Sequence, residues 1–221
     1  MRTDITVILD RSGSMQSTRD DAMQGFNALV EDQKTAAGEA WLSLVQFDDQ
    51  YEVNYTETPI QAAPALTPAT YLPRGSTALL DAIGRTIDAI GHRLSARPEG
   101  DRPDKVIVVI ITDGQENASA TFTGASVSQK IAQRRDVDKW EFIFVGSNQD
   151  AIVSAARMNI PAAQALSFAA SSPGTRSAFR AVAGSLSSLR SGQASAFTPE
   201  QRADAIDDSP SAPPKKPDAG A

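Results

Sequence analysis

The chain contains no cysteine and a single histidine, His92. The first absence excludes disulfides, thiolate nucleophiles and cysteine-ligated zinc together. Basic residues are also scarce, 21 Lys and Arg against 27 Asp and Glu for a net charge of −6. With no basic stripe to neutralise a phosphate backbone, nucleic-acid binding is not expected. No stretch approaches the roughly 20 apolar residues that a membrane span needs. The opening Met1-Arg2-Thr3-Asp4 leads straight into Ile5-Thr6-Val7-Ile8-Leu9, a run too short and too soon acidic for the apolar region of a signal peptide, so a cytoplasmic location is expected. Two glycosylation-like triplets, Asn54-Tyr55-Thr56 and Asn117-Ala118-Ser119, carry no weight without an export signal. A glycine-rich loop ending in Gly-Lys-Ser or Gly-Lys-Thr is missing too, which excludes P-loop nucleotide chemistry.

What is present is the material of one globular domain. A hydrophobic fraction of 41 % over 221 residues supports one sizeable core and argues against a fibrous or disordered chain. Three short apolar runs, Ile5 to Leu9, Val106 to Ile111 and Phe142 to Val145, are apolar on both faces, as parallel strands covered by helices on two sides must be. Trp41 to Phe47, the tight Asp48-Asp49-Gln50 link and the alternating Tyr51, Val53 and Tyr55 read as a hairpin that places an antiparallel strand at a sheet edge. Leu79, Ile83, Ile87, Ile90 and Leu94 form one helical stripe, from which His92 falls away as an exposed position. A first helix starts at Ser17 or Thr18 and buries Phe26, Leu29 and Val30, with Asp20 and Asp21 suiting its dipole. Further helices are predicted around Val127 to Asp138, Ala151 to Met158 and Phe179 to Leu189. Strands alternating with helices give a doubly wound α/β sheet. Beyond Leu189 the periodicity fails, and Ser209 to Pro217 is too rich in proline to pack. The expected division is a domain over residues 1–190 and a disordered tail over 191–221.

Chemistry concentrates where the first strand ends. Asp10-Arg11-Ser12-Gly13-Ser14 sets a carboxylate and two hydroxyls on alternate residues at a strand's carboxyl end, where open α/β sheets place their ligands. Gly13 is read as permitting the bend that brings Asp10, Ser12 and Ser14 together. Such oxygen donors suit a hard cation such as Mg²⁺, although Ser and Asp also satisfy turns and helix caps. A second carboxylate follows Val106 to Ile111 in Thr112-Asp113-Gly114. Two acids at neighbouring strand ends repel each other unless a cation or a proton lies between them. Gly75-Ser76-Thr77-Ala78-Leu79 then leads into the striped helix with Thr77 at its mouth, where it is equally placed to cap that helix.

These three loops, taken in order, resemble the metal-ion-dependent adhesion site of the von Willebrand factor A domain family over roughly Thr3 to Leu189. The resemblance implies a mostly parallel six-stranded sheet with one antiparallel edge strand. It implies that Ser12, Ser14 and Thr77 give hydroxyl ligands to Mg²⁺ or Mn²⁺, and that Asp10 and Asp113 bind the cation directly or through water. Glu116 and Asn117 extend the third loop, either behind the ligands, facing a partner, or as plain solvated residues. Arg11 and Arg74 either shape partner preference or are ordinary surface arginines.

For function, the expectation is a non-enzymatic adaptor or assembly module that recruits a carboxylate, Asp or Glu, of a protein partner. By resemblance, MoxR-like AAA+ ATPases or their complexes are a candidate partner class. The alternative is a metal-dependent phosphotransfer or hydrolase enzyme on a related α/β fold. Haloacid dehalogenase-type phosphatases would need an Asp where Ser12 stands. Response-regulator receivers would need a lysine after the Phe142 to Val145 strand, which runs instead into Gly146-Ser147-Asn148.

Overall fold

A computed structural model describes residues 1–147 and 151–207; Asn148 and the proline-rich Ser209 to Pro217 lie outside them. The first apolar run extends to β1 (Arg2–Asp10). The hairpin is β2 (Glu39–Phe47) and β3 (Tyr51–Pro59). The two later runs become β4 (Lys105–Thr112) and β5 (Glu141–Gly146), and β6 (Ala165–Ser167) adds a short strand. The sheet has six strands in the order β3-β2-β1-β4-β5-β6. Each neighbouring pair is parallel except β2 with β3.

Strand alternation sorts the core into two layers. Ile5, Val7 and Leu9 pack with Phe26 and Leu29 of α1 (Arg19–Thr35) and with Phe179, Val182 and Leu186 of α5 (Ser172–Arg190). Ile8, Val108 and Ile110 face the opposite layer of α2 (Leu79–Ser95), α3 (Gly124–Asp136) and α4 (Ala151–Arg157). The stripe of α2 is buried as its spacing requires, while His92 is exposed. Each fully buried isoleucine on it contributes about 1.5–3 kcal/mol of transfer free energy.

Helix starts deviate from the sequence reading where capping decides them. Thr123 and Ser126 cap each other reciprocally and begin α3 three residues before Val127. Ser171 caps α5, which has a proline in its first turn and starts at Ser172, seven residues before Phe179.

The predicted domain end at residue 190 requires correction. Residues 199–206 form α6 (Pro199–Ile206), with Thr198 and Gln201 as a capping box. Phe197 and Ala205 are buried, and Ala205 C=O accepts from Ala169 N–H at 2.8 Å. Eight residues holding little apolar surface show no periodicity of their own, so a sequence reading passes over them. Packing against α5 and β6 orders them.

The strand order places the site. From β1 the chain passes to β2 on one side, and β4 lies on the other, so a crevice opens at the carboxyl ends of β1 and β4. Leu9 pairs with Ile111, which sets Asp10 beside Thr112 and Asp113 at that crevice.

Candidate metal centre

Three loops meet above β1 and β4. The first is stitched to the second by Arg74 N–H on Arg11 C=O (2.8 Å) and Gly13 N–H on Gly75 C=O (3.1 Å). Gly75, not Gly13, holds the special conformation: its φ is +66°, and a Cβ there would lie 2.6 Å from Asp49 Oδ1. Gly13 simply begins a 3₁₀ turn, Gly13–Thr18. The second loop is held to the third, since Asn117 Oδ1 accepts from Thr77 N–H (2.8 Å) and Thr77 C=O accepts from Asn117 N–H (3.0 Å).

All five residues read from the sequence as ligands come together. Ser14 Oγ donates to Asp113 Oδ1 at 2.5 Å and lies 3.0 Å from Ser12 Oγ. A Cβ built on Gly114 would stand 2.8 Å from Thr77 Oγ1, 3.4 Å from Ser14 Oγ and 3.5 Å from Ser12 Oγ. Three hydroxyls from two loops thus surround a point that only a residue without a side chain leaves open. Asp10 is fully buried; its Oδ1 accepts from Ser12 N–H (2.6 Å) and its Oδ2 from Thr112 Oγ1 (2.5 Å).

Electrostatics point the same way. Burial pushes the Asp10 carboxyl up to about 6, against hydrogen bonds from Thr112 and Ser12 that favour its charged form, and the nearby Asp113 charge adds to the rise. Burial also raises Asp113, despite the Ser14 hydrogen bond. Neither acid has a basic side chain among its hydrogen-bond or ion-pair partners within the described residues. The arrangement has what a small divalent cation needs: hard oxygens from alcohols and carboxylates, and negative charge to offset. Among the described residues, no group of three or more His, Asp or Glu side chains is placed to hold a metal, so any cation here depends on the hydroxyls.

Other residues take structural places. Glu116 accepts from Leu80 N–H (2.8 Å), Ser119 N–H (2.7 Å), Ser119 Oγ (2.7 Å) and Ala118 N–H (3.0 Å). It holds the third loop against the start of α2. Arg11 is no surface arginine, because it is buried with Nε on Asp48 (3.1 Å) and Nη1 on Glu52 (2.7 Å). Arg74 Nε reaches the same Asp48 at 2.8 Å from a half-exposed position. Burial works to raise Asp48, but the hydrogen bonds from Arg74 and Gln50 N–H and the Arg11 charge hold it below the usual carboxylate value.

Two contributors escaped the sequence reading. Thr112 stood inside a quoted motif, and its β-branched hydroxyl at a strand end was the available signal. Tyr71, fully buried with its hydroxyl on Asp10 C=O (2.7 Å), had none.

The family model of the von Willebrand factor type A domain matches residues 5–115, from β1 to just past Thr112-Asp113-Gly114. Among solved structures, proximal thread matrix protein 1 from the mussel byssus aligns with a TM-score of 0.59 at 18 % identity, over 83 % of this chain and 47 % of that one. A structure of the same mussel protein with a zinc-occupied MIDAS motif gives 0.58 at 18 %, over 83 % and 47 %. A von Willebrand factor type A structure from Catenulispora acidiphila gives 0.54 at 13 %, over 83 % and 42 %. Likeness at these identities establishes the fold, and the chain spans less than half the length of these relatives. Among curated proteins, none matches the sequence.

Proposed function

Because the chain belongs to the von Willebrand factor type A domain family, we propose that it is a non-catalytic protein-binding module whose divalent cation recruits a carboxylate of its partner. Asp10, Ser12, Ser14, Thr77 and Asp113 would hold the ion. One observation carries this reading: Asp10 is a fully buried carboxylate beside a second acid, with no basic side chain hydrogen-bonded to it among the described residues. A buried charge left unpaired is strongly destabilising, and a cation held by the surrounding hydroxyls would offset it.

The choice of ion follows from the donors. Alcohol and carboxylate oxygens favour Mg²⁺ or Mn²⁺. The mussel structure carries zinc in its MIDAS motif, so zinc is the competitor to test. When bound, the cation supplies a positive centre with a coordination position open to an Asp or Glu of a partner. Lysine or arginine could not take that place. MoxR-like AAA+ ATPases as partner class, and a cytoplasmic setting, rest on resemblance and on the sequence; among the described residues, no helix is long and apolar enough to cross a membrane.

Thermal unfolding with and without chelator tests the site. Saturation with Mg²⁺ or Mn²⁺ at 100 times the dissociation constant adds about 2.7 kcal/mol, and Asp10→Ala abolishes the gain. An undiminished metal response in Asp10→Ala overturns the assignment.

A further inference from the structure

The face that carries the candidate metal centre also opens into a cavity of about 700 Å³. Thr112, Gly114 and Glu116 form the wall it shares with the centre, and Leu79, Phe144, Ala151, Val153 and Met158 make the far side apolar. A volume in the small-ligand range of roughly 300–1,000 Å³ holds more than one water or methyl group. Val153 is 48 % exposed at α4, an apolar side chain that a partner would cover.

Charge and spacing narrow the occupant. Glu116, the acidic residue among the described lining, already accepts four hydrogen bonds. Arg157 is the basic one, and no hydrogen bond or ion pair of its side chain is found among the described residues. Among the described lining, the cation free to pair is Arg157, which favours an acidic segment over a basic one. A single arginine is too little for a polyphosphate.

Thr112 and Gly146 are register partners on β4 and β5, so the two strand ends lie about 4.8 Å apart. A Cβ on Gly146 would touch Ala151 Cβ at 2.9 Å, which places the start of α4 directly over that second strand end. In an extended peptide, residues two apart share a face and stand roughly 6.6 Å from each other. An acid at the metal, in a segment running from the β4 end towards the β5 end, would set its i±2 neighbour over the cavity.

Resting on the metal-dependent reading above, we propose that this cavity is a specificity pocket. It receives a large apolar side chain two positions from the metal-bound Asp or Glu in an extended, acidic segment of a protein partner.

The test uses the full chain with Mg²⁺ and three blocked peptides, followed by NMR. The first is Gly-Leu-Gly-Glu-Gly-Leu-Gly; the others replace both leucines by alanine, or the glutamate by glutamine. The leucine peptide binds about tenfold tighter than its alanine counterpart, from burial of one leucine. It shifts the Val153 and Met158 methyl signals, and chelator removes both effects. Ala125→Trp, at an exposed position lining the cavity, erases the leucine advantage and keeps the Mg²⁺-dependent melting shift. Val153→Asp gives the same loss and serves if the tryptophan variant does not fold. Chelator-sensitive binding that is equal for leucine and alanine peptides, or a leucine advantage that survives both variants, overturns the pocket and leaves the metal reading standing. If the glutamine peptide binds as well as the glutamate one, or no peptide responds to chelator, the metal reading itself falls and the pocket with it.

Discussion

At Asp10, one buried carboxylate couples stability, pH and cation. Burial raises its pKa from 3.8 to about 6, so between those values the folded chain binds more protons than the unfolded one. The contribution of Asp10 to the stability of the metal-free domain therefore falls as pH rises through this window, by about 3 kcal/mol at 1.36 kcal/mol per unit. Urea unfolding in chelator from pH 4 to pH 6.5 should show this contribution as the difference between wild type and Asp10→Asn, the variant losing less stability as pH rises. A pH dependence that is the same in wild type and Asp10→Asn would contradict it. Cation and proton compete for the same oxygens, so Mg²⁺ affinity should weaken below about pH 6.

Gly114 offers a second probe at this scale. Its φ lies outside the left-handed region, so alanine suits the backbone, yet the added Cβ would stand 2.8 Å from Thr77 Oγ1 and near both serine hydroxyls. Gly114→Ala should leave a folded domain, at an overpacking cost of about 1–3 kcal/mol in chelator, and remove most of the Mg²⁺ response, read by the same unfolding assay. A full metal response in this variant would place the cation elsewhere.

Among the elements, α6 shows how a short helix becomes part of a domain. Its own surface is small, and what holds it is the burial of Phe197 and Ala205 together with backbone bonds to Ala163 and Ala169. Phe197→Ala should lower unfolding free energy by about 3 kcal/mol or more, the usual cost of emptying a buried phenylalanine site. A change below about 1 kcal/mol would mean that the segment only rests on α5. The site loops depend on elements in the same way. Asp81 on α2 accepts from the N–H groups of Ala120, Thr121 and Phe122 (2.7–3.2 Å), which anchors the segment that follows the third loop.

For the whole molecule, the net charge of −6 opposes approach of an acidic partner, while the proposed contact at the cation favours it. Salt separates the two effects, because the screening length shrinks from about 30 Å at 0.01 M to about 8 Å at physiological strength. Stopped-flow association with a peptide carrying several Asp or Glu should speed up severalfold as salt rises over that range. A rate that falls with salt would indicate that local positive charge governs the encounter.

The sequence by itself determined the doubly wound class, the edge hairpin and the loops that hold Asp10, Ser12, Ser14, Thr77 and Asp113. Each of these is written within a few residues, as an apolar run, an alternation or a motif. Tertiary structure alone decided that Thr112, 102 positions away in sequence, donates to Asp10. It also buried Arg11 against Asp48 and Glu52, and moved the turn-making glycine from Gly13 to Gly75. The three-residue β6 and the eight-residue α6 were decided there as well. Elements that short carry too little periodicity to be read, and a contact between distant residues has no local signal. Both depend on where the chain brings its neighbours, and the order of strands in the sheet sets that.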